Sequence, residues 1–286
     1  MPDKKILLIT GGSGYLGRHL TATAAKNFVV HTTHRTNSAQ IIAGIPHKLD
    51  ITDKSTVAAL IDSLAPDAII HTAAANPGCP EAAMMAINGD GSQNIAAAAA
   101  RVGARLVHVS TDALHSGQNA PYADNAPPSP ITPYGQSKAA AEAAVAKANP
   151  GAAIVRTPLI YGLQEMDRGT VGFAQRLQRG ESLALFRDVI RQPVWVNTLI
   201  EALLKLAFDR SDFAGALNVA GRQTLSREAF GRRMLAWWGI DYHSQIGSAS
   251  AAEMGLKMPL DLRLDIGRGE ALLQMPFLGV DEVLNL

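Results

Sequence analysis

The chain has 286 residues, enough for one large α/β domain or a domain with a smaller lobe, with no need of a disulfide or metal to hold its core. Hydrophobic residues at 47% and charged residues at 18% exclude a disordered chain, and a formal net charge of +1 offers no attraction to nucleic acid or an anionic membrane. The single cysteine excludes an internal disulfide and a cysteine-rich zinc site, and 5% aromatic residues argue against a base-stacking binder.

Taken in chain order, the first apolar run is KILLIT at 5–10. Its apolar part, Ile6–Ile9, enters a glycine turn and is too short for a secretory signal. Ile95–Ala100 is far too short to cross a bilayer, so a cytoplasmic protein with no membrane partner is expected. FVVHTT at 28–33, AIIHTA at 68–73, RLVHVS at 105–110 and AAIVRT at 152–157 follow, each apolar on both faces as buried parallel strands are. A weaker strand around His47–Leu49 sits between the second and fourth. Helical spacing fills the gaps at Leu16–Asn27, Lys54–Leu64, Glu81–Val102 and Pro133–Asn149, the last two rich in alanine.

This alternation predicts an α/β fold, a doubly wound parallel sheet of Rossmann type with a smaller C-terminal substrate lobe. The expected division is a dinucleotide-binding domain over 1–160 and a lobe over 161–286, with part of 190–220 woven back into the first. In that second part a helix is expected at Thr198–Phe208, a strand at Ala216–Ala220 and a helix at Ser226–Trp238. Residues 117–133 carry five prolines and few apolar residues, so they form a loop, and a loop this long in a compact domain is more often functional than idle.

Gly11, Gly14 and Gly17 lie between the first strand and first helix. The first glycine makes the tight turn, the second admits a pyrophosphate to the backbone, and the third lets helix and strand pack, with the helix N-terminus facing the phosphates. The second strand ends in His31-Thr32-Thr33-His34-Arg35, with no acid to bind a ribose 2′-hydroxyl and one arginine able to pair a 2′-phosphate. NADPH is therefore the expected cofactor, with NADH as the alternative. His31 and His34 on a strand do not converge, and no metal is expected.

Tyr134 and Lys138 are four apart on one helix, so phenol and ammonium share a face. A cation about 4 Å from the phenol, at an effective dielectric near 20, contributes roughly 4 kcal/mol, or about three pH units, and would bring a phenol of pKa about 10 near neutrality. Ser110 and Thr111 end the 105–110 strand, on the sheet edge where ligands of this architecture bind.

With these pieces the chain resembles the extended short-chain dehydrogenase/reductase superfamily. TGGSGYLG at 10–17, HTAA at 71–74, STD at 110–112, YGQSK at 134–138 and RTPLIYG at 156–162 carry the resemblance, and Ile87-Asn88-Gly89 also fits. Within the superfamily it is most similar to dTDP-4-dehydrorhamnose reductases. The resemblance implies NADPH-dependent reduction of a keto group on a nucleotide-linked sugar by a monomer or homodimer. It implies that Thr111 binds the substrate carbonyl, Tyr134 protonates it, and Lys138 holds the nicotinamide ribose and lowers the phenol pKa. It places Gly11, Gly14, Tyr15, Leu16, Gly17, Arg35, Asp50, Ile51, Ala73, Ala74 and Thr157 along the cofactor, with Asp50 and Ile51 flanking the adenine and Thr157 beside the nicotinamide.

Two departures bear on the sugar. Asp112-Ala113-Leu114-His115 lacks the aromatic pair that often follows STD in those reductases, and Leu159 stands where they tend to carry a tryptophan. Ala113 lacks the carboxylate that sugar-nucleotide dehydratases use, which argues against elimination chemistry. Arg187, Arg191, Arg263 and Lys257 are candidates for a substrate diphosphate. Two other readings stay open: a different reductase or epimerase on the same scaffold, and a dinucleotide-binding regulatory subunit similar to the beta subunit of methionine adenosyltransferase.

Overall fold

The computed structural model describes residues 4–241 and 243–286. The first half alternates strand and helix: β1 (Ile6–Thr10), α1 (Tyr15–Ala24), β2 (Val29–His34), β3 (Ile45–Lys48), α2 (Lys54–Leu64) and β4 (Ala68–His71). It continues through α3 (Glu81–Met84), α4 (Ser92–Val102), β5 (Arg105–Val109), α5 (Pro133–Ala148) and β6 (Ala153–Arg156). Beyond it come β7 (Ile160–Tyr161), α6 (Arg168–Gln178), β8 (Leu183–Phe186), β9 (Ile190–Arg191), β10 (Val194–Trp195) and α7 (Val196–Phe208). Then follow β11 (Gly215–Asn218), β12 (Leu225–Ser226) and α8 (Arg227–Trp237).

Seven strands form one parallel sheet in the order β11-β6-β5-β4-β1-β2-β3. Because side chains alternate across a strand, each central strand feeds two cores. Leu7, Ile9, Ile70, Val107 and Val155 join one layer, closed by α1 and by Leu199, Leu203 and Leu206 of α7. Leu8, Ile69, Leu106 and Ile154 join the other, closed by Val57 and Ile61 of α2, Ile95 of α4 and Val145 of α5. Each such aliphatic side chain taken from water contributes about 1.5–3 kcal/mol, so the middle of the sheet is the rigid platform.

Local chemistry sets the element ends. Asp53 caps α2 by accepting from the N–H groups of Ser55 and Thr56, and Thr132 caps α5, which has Pro133 in its first turn. Both restrain ends close to the expected ones. The expected Leu16–Asn27 helix is shorter, running Tyr15–Ala24 before a turn in which Phe28 N–H donates to Ala24 O (3.0 Å). The weak strand near His47 lies between the second and fourth in sequence but outside β2 at the sheet edge, where little apolar surface is required of it. The expected continuous helix at Glu81–Val102 is interrupted by a π-helical turn at Met85–Gly91. An α-carbon substituent at Gly91 would meet Ile51 at 2.7 Å, so the wide turn passes closely over the end of β3.

Residues 117–132 form neither helix nor strand beyond a single bridge between Tyr122 and Leu264. Tyr122 pins the loop, its hydroxyl accepting from the N–H groups of Gly117 (2.9 Å), Gln118 (3.0 Å) and Asn119 (3.1 Å). Arg156 of β6 holds the other end, donating to Asp124 O (3.0 Å) and Ala126 O (2.8 Å) while bound in a fork to Glu142 of α5. Among the described residues no helix is long and apolar enough to cross a membrane.

Candidate active site

β1, β4, β5 and β6 all end on one edge of the sheet, and the residues singled out in the sequence gather there. Gly11 has φ +77°, and a Cβ on it would stand 2.8 Å from both Ala73 N and Cα. Only glycine fits where the first turn touches the end of β4. A Cβ on Gly17 would collide with the Gly11 carbonyl, so the third glycine brings α1 against the turn. Gly14 is the N-cap of α1 and has no side chain to cap it, which leaves the first-turn N–H groups of Tyr15, Leu16 and Gly17 facing outward. These residues fit a dinucleotide: a backbone cradle at a helix N-terminus beside buried, unmatched hydroxyls on neighbouring strands. Ser110 Oγ and Thr157 Oγ1 are those hydroxyls, buried without a hydrogen-bond partner among the described residues.

Arg35 is exposed just beyond β2, and its charge reaches Asp50, whose carboxyl is held below the usual range mainly by hydrogen bonds from Thr52. Ile51 is buried, its carbonyl accepting from Asn94 Nδ2 (3.0 Å). Ala74 is exposed on the strand-end loop after Ala73. His31 does meet an imidazole, but it is that of His47 (Nδ1 to Nε2 2.8 Å), and no cluster of three or more metal-ligating side chains occurs among the described residues.

Thr111, Tyr134 and Lys138 converge from β5 and α5. The Thr111 hydroxyl lies near enough to the phenol to favour its ionised form, as expected of two groups that share a substrate oxygen. Lys138 is 3% exposed and donates from Nζ to Val109 O (2.7 Å). Burial lowers its pKa to about 8, opposed by Glu142 one turn along the helix. Tyr134 departs from the sequence argument. Its pKa is pushed up to about 12, first by burial and then by the Asp112 carboxylate, with only the Thr111 hydroxyl acting downward. The ammonium serves the strand carbonyl, so it does not pull the phenol toward neutrality as the four-residue spacing implied.

Asn88, named in the sequence only as part of a pattern, braces the helix that carries Tyr134. It lies buried in the π-helical turn, accepting from Ala75 N (2.8 Å) and donating to Ala75 O (3.0 Å) and Ser137 Oγ (2.9 Å). Ser137 in turn donates to Tyr134 O (2.8 Å), so one amide ties the end of β4 to the first turn of α5. The N-G-D-G stretch inside an alanine helix was its signal. A π turn at such a place commonly aims a functional side chain.

In the C-terminal part a cavity of about 260 Å³ is lined by Phe173, Ser182, Leu183–Phe186, Arg227 and Arg176, the last paired with Glu181 (2.7 Å). Arg227 was not singled out in the sequence. It is solvent-accessible at the start of α8, and its charge reaches both Asp112 and Asp167. Three of the arginine and lysine candidates for a diphosphate are engaged elsewhere. Arg191 is buried and donates to Ile190 O, Leu260 O and Pro259 O. Arg187 pairs with Glu253, and Arg263 with Asp261. Leu159 is half-buried against a cluster that includes Tyr161 and Phe230, and Trp195 of β10 packs against the same cluster with its indole N–H buried without a partner among the described residues.

A glycine cradle on a parallel sheet, with a hydroxyl, a phenol and an ammonium at the adjoining strand ends, defines an oxidoreductase of the extended short-chain dehydrogenase/reductase type. Residues 4–271 match the RmlD substrate binding domain family, and the chain belongs to that family. It is 34% identical over 245 residues to dTDP-4-dehydrorhamnose reductase of Mycobacterium tuberculosis, covering 82% of this chain and 76% of that one. It is 37% identical over 168 residues to methionine adenosyltransferase 2 subunit beta of Xenopus laevis, covering 57% of this chain and 48% of the subunit. The solved dTDP-4-dehydrorhamnose reductase of Bacillus anthracis in complex with NADP superposes with a TM-score of 0.80 at 26% identity, over 99% of this chain and 98% of that one.

Proposed function

We propose that the protein reduces a keto group on a nucleotide-linked sugar with NADPH, as dTDP-4-dehydrorhamnose reductases do, and that it works in the cytoplasm. The observation that carries this reading is the glycine cradle at the sheet edge where Thr111 follows β5 and Tyr134 and Lys138 open α5. The nicotinamide, when bound, supplies the hydride. The first 160 residues, with the strand and helix that return to them, serve the cofactor, and the remainder serves the sugar nucleotide.

Each residue then has a task. The N–H groups of Tyr15, Leu16 and Gly17 face the pyrophosphate, and Arg35 pairs the 2′-phosphate. Thr111 and Tyr134 hold the carbonyl oxygen, and the phenol proton passes to that oxygen as negative charge develops on it. Lys138, buried against Val109 O, keeps a cation beneath the ribose position. Arg227, which lines the cavity and reaches Asp112 with its charge, is the cation offered to a diphosphate.

The regulatory-subunit reading rests on an alignment that covers less than half of the methionine adenosyltransferase subunit, while the reductase likeness covers most of both chains. The test is NADPH consumption with a panel of keto sugar nucleotides that includes dTDP-4-dehydrorhamnose. Turnover that disappears in Tyr134→Phe supports the reading. Tight NADPH binding with no turnover of any panel member, together with co-purification of a larger catalytic chain, would replace it with the subunit.

A further inference from the structure

After β7 the chain crosses one face of α1 before it enters α6, and a single residue, Glu165, fastens that crossing. Tyr15, Arg18 and His19 stand at positions i, i+3 and i+4 of α1, so they share the face. Arg18 donates from Nε to Glu165 Oε2 (3.1 Å) and from a terminal nitrogen to Oε1, a two-bond fork. His19 Nε2 lies 3.2 Å from Oε2. The Tyr15 hydroxyl donates to the backbone carbonyl of Glu165 (3.1 Å), and a Cβ on Gly162 would collide with that hydroxyl. The Arg18 guanidinium stands 5.5 Å from the centre of the Tyr15 ring. From the other side, Trp237 of α8 donates to Leu163 O (3.3 Å). The crossing ends at Asp167, which caps α6 by accepting from Gly169 N (2.8 Å) and Thr170 N (3.1 Å).

We propose that Glu165 is a positioning residue that latches residues 162–167 to α1 as a strap along the dinucleotide, which leaves only when the latch opens. The proposal rests on the cofactor part of the reductase reading. The strap meets α1 at Tyr15, the residue after the Gly14 N-cap, whose N–H is the first of the cradle. The same stretch of chain begins at Thr157, whose buried hydroxyl has no partner among the described residues. Residues 157–167 therefore border a dinucleotide from its nicotinamide to its pyrophosphate. A lone exposed ion pair would hold such a strap poorly. Here the Arg18 side chain is only 16% exposed, its fork with the carboxylate is bidentate, and a phenol bond and a close glycine contact add to it. None of these groups touches the reacting carbonyl, so the latch acts on cofactor residence and not on the hydride step.

The test is the rate at which NADPH leaves, followed by its fluorescence after mixing the complex with excess NADP+, and it needs no sugar. Glu165→Gln keeps the shape and drops the charge, and should speed release about fivefold or more. Arg18→Met should do the same, and the double variant should be little faster than either single one, as for two partners in one contact. In the protein free of cofactor, the backbone amides of residues 163–166 should exchange hydrogen faster in Glu165→Gln than in the parent. Release within twofold of the parent in both single variants overturns the proposal, whether or not a sugar nucleotide is turned over. Rates that multiply in full in the double variant overturn it too, because the two residues then act apart. Faster release in the variants with no sugar reduced by the parent supports the latch and counts against the reductase reading alone. Should Glu165→Gln not fold, Glu165→Ala makes the same comparison.

Discussion

Glu142→Gln should be among the most damaging single changes outside the catalytic residues. Arg156 and Glu142 have side chains only 5% and 8% exposed and meet at 2.8 Å, with two further guanidinium contacts at 3.1 and 3.3 Å. Removing one charge from a buried pair strands the other, at about 3–5 kcal/mol. Glutamine keeps the shape and one acceptor, so about 3 kcal/mol is expected, a large share of the 5–15 kcal/mol that a domain typically has. Arg156→Met should cost at least as much, because the carbonyls of Asp124 and Ala126 lose their donor as well. The double variant removes both charges and should cost less than the sum by about 1–3 kcal/mol. Urea unfolding of the four proteins gives each figure. Proteolysis at 117–132 should accelerate first, since Arg156 anchors that loop. A loss within about 0.5 kcal/mol for Glu142→Gln, the range of an ordinary surface change, would show that the pair contributes nothing net.

Four further outcomes are expected. Arg35→Ala should narrow the preference for NADPH over NADH by about 1–3 kcal/mol in binding titrations, and equal affinities in the parent protein would refute the 2′-phosphate role. Tyr134→Phe should lower turnover roughly 10²–10⁴-fold with NADPH affinity kept, and unchanged reduction would remove the phenol from the mechanism. The parent should turn over dTDP-4-dehydrorhamnose poorly relative to its own substrate, and Leu159→Trp should shift specificity toward that compound; no shift in relative kcat/KM would take Leu159 off the sugar. Stability should fall as pH drops below 6.5. Burial depresses His71 to about 3, His115 to about 4 and His108 well below its usual value, so the unfolded chain binds protons there that the folded one refuses. Raised Asp112 opposes this by one proton between about 6 and 3.8. His19, His31 and His47 are lowered as well, and Asp124 is raised, so the histidines outnumber the opposing carboxyls and a flat urea midpoint from pH 7 to 5 would contradict the reasoning.

Most of the central sheet was legible in the sequence because its strands are buried on both faces and read as unbroken apolar runs. Lys54–Leu64 coincides with the observed helix because Asp53 offers an N-cap that can be read directly. β3 was faint because it lies at the sheet edge, where the selection for apolar residues is weak. The π-helical turn was hidden, since alanine periodicity looks the same whether or not one extra residue is inserted. For the candidate site, glycine spacing and the Tyr134–Lys138 interval convey which groups meet. They do not convey that Lys138 is captured by Val109 O. Arg191 and Arg263 looked equivalent in sequence. Only the fold shows that the first is enclosed by three carbonyls and the second is paired with its near neighbour Asp261.

The return of the chain to its own sheet has a consequence for anyone wishing to recombine such proteins. β11 pairs with β6 residue for residue from Gly215–Ala153 to Asn218–Arg156, and α7 joins α1 in closing one face of the sheet. A fragment cut after residue 160 would leave β6 as a bare edge with a row of unpaired backbone groups, and would uncover Leu7, Ile9 and Ile70. Such an edge invites pairing with another chain, so the fragment should be insoluble however complete its glycine cradle and catalytic residues are. An exchange of the substrate-facing segments would therefore need three splice points, after β7, before β10 and beyond β11, leaving α7 and β11 with the sheet they complete.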